Sequence, residues 1–86
     1  MVKRIDEEVE SNFYDKETVI CEIEKSENKK IRISIGEKKD TKYVNTREFY
    51  KNDEGEWLPG KSGMCVNDEV IEDLVEGLQM ALEEVL

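Results

Sequence analysis

The stretch from Asn67 to Leu86 constrains the fold more than any other part of this sequence. At 100° per residue, Val70, Ile71, Leu74, Val75, Leu78, Ala81, Leu82 and Val85 fall within an arc of about 140°, and Asp68, Glu69, Glu72, Asp73, Glu76, Glu83 and Glu84 lie outside it. A helix with two unmixed faces has to cover its apolar one. With 86 residues the chain makes one small domain, whose core only marginally stabilises a monomer. The helix is therefore expected to pack partly on the rest of the chain and partly on a second copy. Leu74, Gly77, Leu78 and Leu82 would form that contact, Gly77 letting two backbones approach. Asn67 is placed to accept a hydrogen bond from the first turn, and Asp68 and Glu69 complement the positive end of the helix dipole.

Upstream, the apolar periods are those of strands. Thr18 to Lys25 sets Val19, Cys21 and Ile23 against Ile20, Glu22 and Glu24, and Lys30 to Ile35 sets Ile31, Ile33 and Ile35 against Lys30, Arg32 and Ser34. Ser26-Glu27-Asn28 reads as the turn between them, and Gly36 to Asp40 as the link to a third strand, Lys42 to Tyr50, rich in β-branched and aromatic residues. Asn52-Asp53-Glu54-Gly55 is a hairpin turn, and Glu56-Trp57-Leu58 begins the return strand. Leu58-Pro59-Gly60-Lys61 fits a type II turn, Pro fixing φ and Gly permitting a positive one, before Met64-Cys65-Val66 resumes the strand. The predicted fold is α+β: a four-stranded antiparallel sheet, then one C-terminal amphipathic helix, with no βαβ crossover. Residues 1–17 carry Val2, Ile5, Val9 and Phe13 at loosely helical spacing and are expected to be an N-terminal arm, frayed or a short helix. Residues 18–86 are the single folded domain.

The chain has no His, and Cys21 and Cys65 lack a CxxC or nucleophile signature, so buried free thiols are expected and no catalytic residue, metal or cofactor is assigned. No apolar run approaches membrane-spanning length and the N-terminus lacks a signal-peptide core. That points to the cytoplasm or nucleoid of a prokaryote, or the nucleus of a eukaryote. A net charge of −9 would repel nucleic acid if evenly spread, but it is not. Residues 67–86 hold seven acidic side chains and no basic one, whereas residues 29–51 hold eight basic and three acidic. A basic sheet opposite an acidic helix follows. Single-stranded nucleic acid needs such cations together with aromatic faces, which Tyr50, Trp57 and Tyr43 supply.

Arg47 to Asn67 concentrates Phe49, Tyr50, the one Trp, the one Pro and three of the five Gly. Its segments Arg47-Glu48-Phe49-Tyr50, Asp53-Glu54-Gly55-Glu56-Trp57 and Pro59-Gly60-Lys61-Ser62-Gly63, with the helix after Asn67, resemble in order and spacing the positive cofactor four family of transcriptional coactivators. The resemblance spans roughly residues 29 to 84 and implies a curved sheet backed by a helix, a homodimer and preference for single-stranded DNA.

Carried over residue by residue, the resemblance marks Tyr50 for base stacking and Arg47 for contact with DNA. Lys61 matches a basic position after Pro-Gly, and Lys29 and Lys39 match positions flanking the second predicted strand. Arg32, Lys38 and Trp57 complete the expected nucleic-acid surface. Ser62 and Gly36 stand where the family commonly has basic residues and Lys38 where an aromatic often stacks, which implies weaker binding. Three or four phosphate contacts per chain would give a slope of log K against log salt of about −2 to −3. The expected function is sequence-tolerant binding of single-stranded DNA, or RNA, in transcription regulation or genome maintenance, with the transcription machinery as a further partner. The competing expectation is a protein-interaction module whose acidic helix docks a basic partner without binding DNA.

Overall fold

The computed structural model describes residues 1–86 as five strands and one helix: β1 (Val2–Val9), β2 (Lys16–Ser26), β3 (Lys29–Lys38), β4 (Thr41–Lys51), β5 (Trp57–Asn67) and α1 (Ile71–Val85). The strands form one antiparallel sheet in sequence order, so each pairs with its chain neighbours. β2 to β5 are the four strands expected.

β1 is a fifth strand where an arm or short helix was expected. Asp6, at φ 55°, sits in a bulge between Arg4 and Glu7, and Arg4 Nε donates to Asp6 Oδ1 at 2.8 Å. The bulge interrupts the two-residue alternation and leaves Val2, Ile5 and Val9 at a spacing that mimics a helix.

Two turns also differ from expectation. Gly36 lies inside β3 and is buried, and the link to β4 is a two-residue turn at Lys39 and Asp40, both left-handed at φ 49° and 66°. This is the backbone sense that matches the twist of the flanking strands. Pro59-Gly60 makes no turn: β5 runs through it, and Gly55, at φ 82°, is the one glycine with positive φ. β5 is an edge strand, and its pairing with β4 is irregular between Arg47 and Phe49, so Pro59 sits where a missing N–H is tolerated.

Register assigns the faces. Cys21, Ile23, Ile31, Ile33, Ile35, Val44 and Val66 share one, here the Ile33 face. Val19, Glu22, Arg32, Ser34, Gly36, Tyr43, Asn45, Arg47 and Phe49 share the other, the Phe49 face. A bulge between Val19 and Cys21 puts these two on opposite faces, although simple alternation would keep them together. Only 3 of 86 residues are buried: Val19, Ser34 and Gly36, all on the Phe49 face.

The helix does not use the sheet as cover. None of its residues is buried, Ile71 and Leu74 are half-buried, and Leu78 and Leu82 are 59% and 53% exposed. Asn67 Oδ1 accepts from the N–H groups of Glu69 and Val70, in the turn that leads into α1. The apolar arc is therefore real and, within one chain, bare beyond its first turn.

Candidate nucleic-acid interface

The eight residues expected to meet nucleic acid divide between the two faces. On the Ile33 side, Tyr50 stands opposite Lys29 on β3 and Leu58 on β5. The residue is 43% exposed and its ring has no aromatic neighbour, and Lys29 makes no ion pair. Lys25 Nζ holds Glu48 Oε2 at 2.7 Å, and that hydrogen bond lowers the Glu48 pKa. Lys39, in the β3–β4 turn, and Lys61, in the irregular part of β5, are exposed, and their ammonium groups make no ion pair.

The Phe49 face binds its own charges. Arg32 Nε donates to Glu22 Oε2 at 3.0 Å while its guanidinium lies 4.2 Å from the Phe49 ring centre. Lys30 Nζ donates to Glu22 Oε1 at 3.2 Å and stands 4.4 Å from the Trp57 ring, which has Lys51 at 5.3 Å. Burial pushes the Glu22 carboxyl up, but the hydrogen bonds from Arg32 and Lys30 outweigh it and leave the pKa lowered. Arg47 donates through one terminal nitrogen to the carbonyls of Gly60 and Lys61, both at 3.3 Å. Trp57 and Arg32 are thus engaged inside the chain.

An aromatic cluster that the sequence reading missed closes the far end of this face. The Tyr14 ring lies on Gly36, where an added Cβ would come within 2.6 Å of it, and is centred 6.2 Å from Tyr43. Phe13 meets Tyr14 edge-on at 4.9 Å, and Lys38 Nζ sits 3.9 Å from the Phe13 ring centre. The Tyr14 hydroxyl is 3.3 Å from Cys65 Sγ; burial, then this contact, pushes its pKa up to about 12. Cys21 and Cys65 are free, but neither is buried as expected: Cys21 is half-buried and Cys65 exposed. The one local signal for the cluster was Ser11, whose side chain accepts from the N–H groups of Phe13 and Tyr14.

The fold is an open antiparallel meander with cations and rings on its surface and a trailing amphipathic helix. The chain belongs to the family described as Transcriptional Coactivator p15 (PC4), which matches residues 25–77. Two solved structures of a PC4 homolog from Burkholderia pseudomallei are similar to it. The orthorhombic form is 28% identical with a TM-score of 0.71, covering 83% of this chain and 96% of that one. The tetragonal form is 26% identical with a TM-score of 0.68, covering 76% and 96%. No curated protein matches the sequence.

Proposed function

We propose that this protein is a homodimeric, sequence-tolerant single-stranded DNA-binding protein acting in transcription regulation or genome maintenance. The observation that carries the reading is the cross-strand pair of Tyr50 and Lys29, an exposed ring beside an ammonium that makes no ion pair. Stacking on Tyr50 and phosphate contacts from Lys29, Lys39, Lys61 and Arg47 favour unpaired over duplex strands and read little sequence. Arg32, Lys38 and Trp57 act mainly in support, because each is already engaged by a charged or aromatic side chain of this chain, whereas Arg47 holds only the backbone carbonyls of Gly60 and Lys61. RNA is the alternative ligand of the same chemistry. In a prokaryote such a protein works in the cytoplasm or on the nucleoid, in a eukaryote in the nucleus.

The dimer follows from the bare helix. A second copy covers Leu74, Leu78 and Leu82 and brings Gly77, which meets nothing within 4 Å in its own chain, against a partner backbone. A second function is supported by the helix carboxylates, none of which is ion-paired: the acidic face docks a basic partner, such as a component of the transcription machinery.

The deciding experiment is fluorescence anisotropy of a labelled oligo-dT of about 20 nucleotides, against a duplex of equal length, at low and rising salt. Preferential binding of the single strand that weakens with salt is expected. Absence of binding at low salt overturns the reading and leaves the acidic helix as the functional surface.

A further inference from the structure

The loop between β1 and β2 is built too firmly to be a mere connection. Ser11 Oγ accepts from Phe13 N–H at 3.2 Å and Tyr14 N–H at 2.9 Å, Asp15 N–H donates to the Glu37 carbonyl at 2.8 Å, and Lys39 N–H donates to Asp15 Oδ2 at 3.1 Å. Residues 11–15 are thus pinned to the end of β3. Held this way, Phe13 is nonetheless 62% exposed, an unusual placement for a large ring in a fixed loop.

The loop also walls a groove. An open cavity of about 640 Å³ lies between it and β4 and β5, with Asn12, Phe13 and Tyr14 on one side and Asn45 and Arg47 on the other. That volume falls in the range of roughly 300–1,000 Å³ that small-molecule sites occupy. Rings supply a stacking wall, and the Asn12 and Asn45 amides offer donors and acceptors to a base edge. Glu10 and Glu17 line the same groove and disfavour a phosphate inside it, which leaves the uncharged base as the part that fits. Lys38 Nζ, 3.9 Å from the Phe13 ring, and Arg47 flank the groove with positive charge for the adjoining backbone.

We propose that the β1–β2 loop adds a nucleobase site to the sheet, in which an unpaired base of a bound single strand stacks on Phe13 in the groove facing Asn45 and Arg47. The site rests on the single-strand reading above and deepens it. Its loop residues Asn12, Phe13 and Tyr14 lie outside the segment that the family pattern matches, whereas Lys38, Asn45 and Arg47 lie within it, so the N-terminal loop extends the binding surface of this particular chain.

The test compares the full chain with its Phe13→Ala, Phe13→Trp and Tyr50→Ala variants, titrating labelled oligo-dT at low salt and at several higher salt concentrations. Phe13→Ala is expected to weaken binding roughly five- to tenfold, the low end of one lost stacking contact. Phe13→Trp should hold the original affinity, and neither change should alter the salt slope, since no cation is removed. Unchanged affinity in Phe13→Ala beside a loss in Tyr50→Ala overturns the site and leaves the single-strand reading standing. A loss that Phe13→Trp does not restore also overturns it, assigning the effect to loop structure. Failure of the unaltered chain to bind overturns both.

Discussion

On the Phe49 face of the sheet, charges are paired inside the chain; on α1, charge is of one sign and paired with nothing. Glu22 takes both Lys30 and Arg32, Ser34 donates to Glu17, and rings cover Gly36. The helix carries Glu72, Asp73, Glu76, Glu83 and Glu84 without a basic residue, and its apolar arc stays bare beyond the first turn. The contrast separates a surface that is finished within one chain from one that is half of an interface. Perturbing the first should cost fold stability, and perturbing the second should cost assembly.

The largest effect is expected from Leu78→Asp combined with Leu82→Asp. Charges placed in the proposed dimer contact should convert a species of about 20 kDa into the 10.0 kDa chain in analytical ultracentrifugation. A 10.0 kDa species for the unaltered protein at micromolar concentration would remove the dimer and with it this side of the comparison.

Next come the paired face and the exposed ring. Glu22→Ala leaves Lys30 and Arg32 half-buried without their carboxylate and should destabilise by about 1–3 kcal/mol in urea. Tyr50→Ala should weaken oligo-dT binding by about 1–3 kcal/mol with little shift of the urea midpoint, the reverse pattern. If the two variants behave alike, the division between finished and open surfaces fails.

Protonation sharpens the same contrast. The lowered pKa of Glu22 means its contribution is present above the ordinary carboxylate value of 4.5 and is lost as pH falls through the folded value. For Tyr14 the sign reverses: with the phenol raised from 10.0 to about 12, its contribution is complete below 10 and disappears as pH climbs toward 12. A spectrophotometric tyrosine titration should find the Tyr14 phenol ionising late, and Gly36→Ala, which displaces the ring, should abolish that lag.

The smallest expected effect has an informative sign. In an isolated exposed helix Gly77→Ala would gain about 1 kcal/mol. At a close helix contact it should instead leave stability unchanged or lower it, read from urea midpoints at several protein concentrations.

The helix, β3 and β4 were legible because their apolar residues repeat cleanly at 3.6 or 2, and β2 was legible as a strand although the bulge between Val19 and Cys21 moved Val19 to the other face. β1 was not, since the left-handed Asp6 and its bulge erase the alternation of a short charged strand. Pro59-Gly60 carries a strong local turn signal, yet an edge strand with irregular pairing absorbs both residues without turning. Tyr50 and Lys29 were visible as a pair of residue types, and the register places them side by side. What no local pattern announced is long-range: Tyr14 covering Gly36 and Glu22 taking up Lys30 and Arg32. Such contacts depend on which strands become neighbours.

The strictly sequential strand order has a kinetic consequence. Every strand zips onto one already beside it in the chain, so the sheet closes through short loops whose entropic cost is small, and it can assemble at a rate independent of concentration. The helix comes last in the chain and finds no cover there. Under the proposed dimer its docking is a second-order encounter, so refolding should split into a fast phase indifferent to dilution and a slower one that dilution retards.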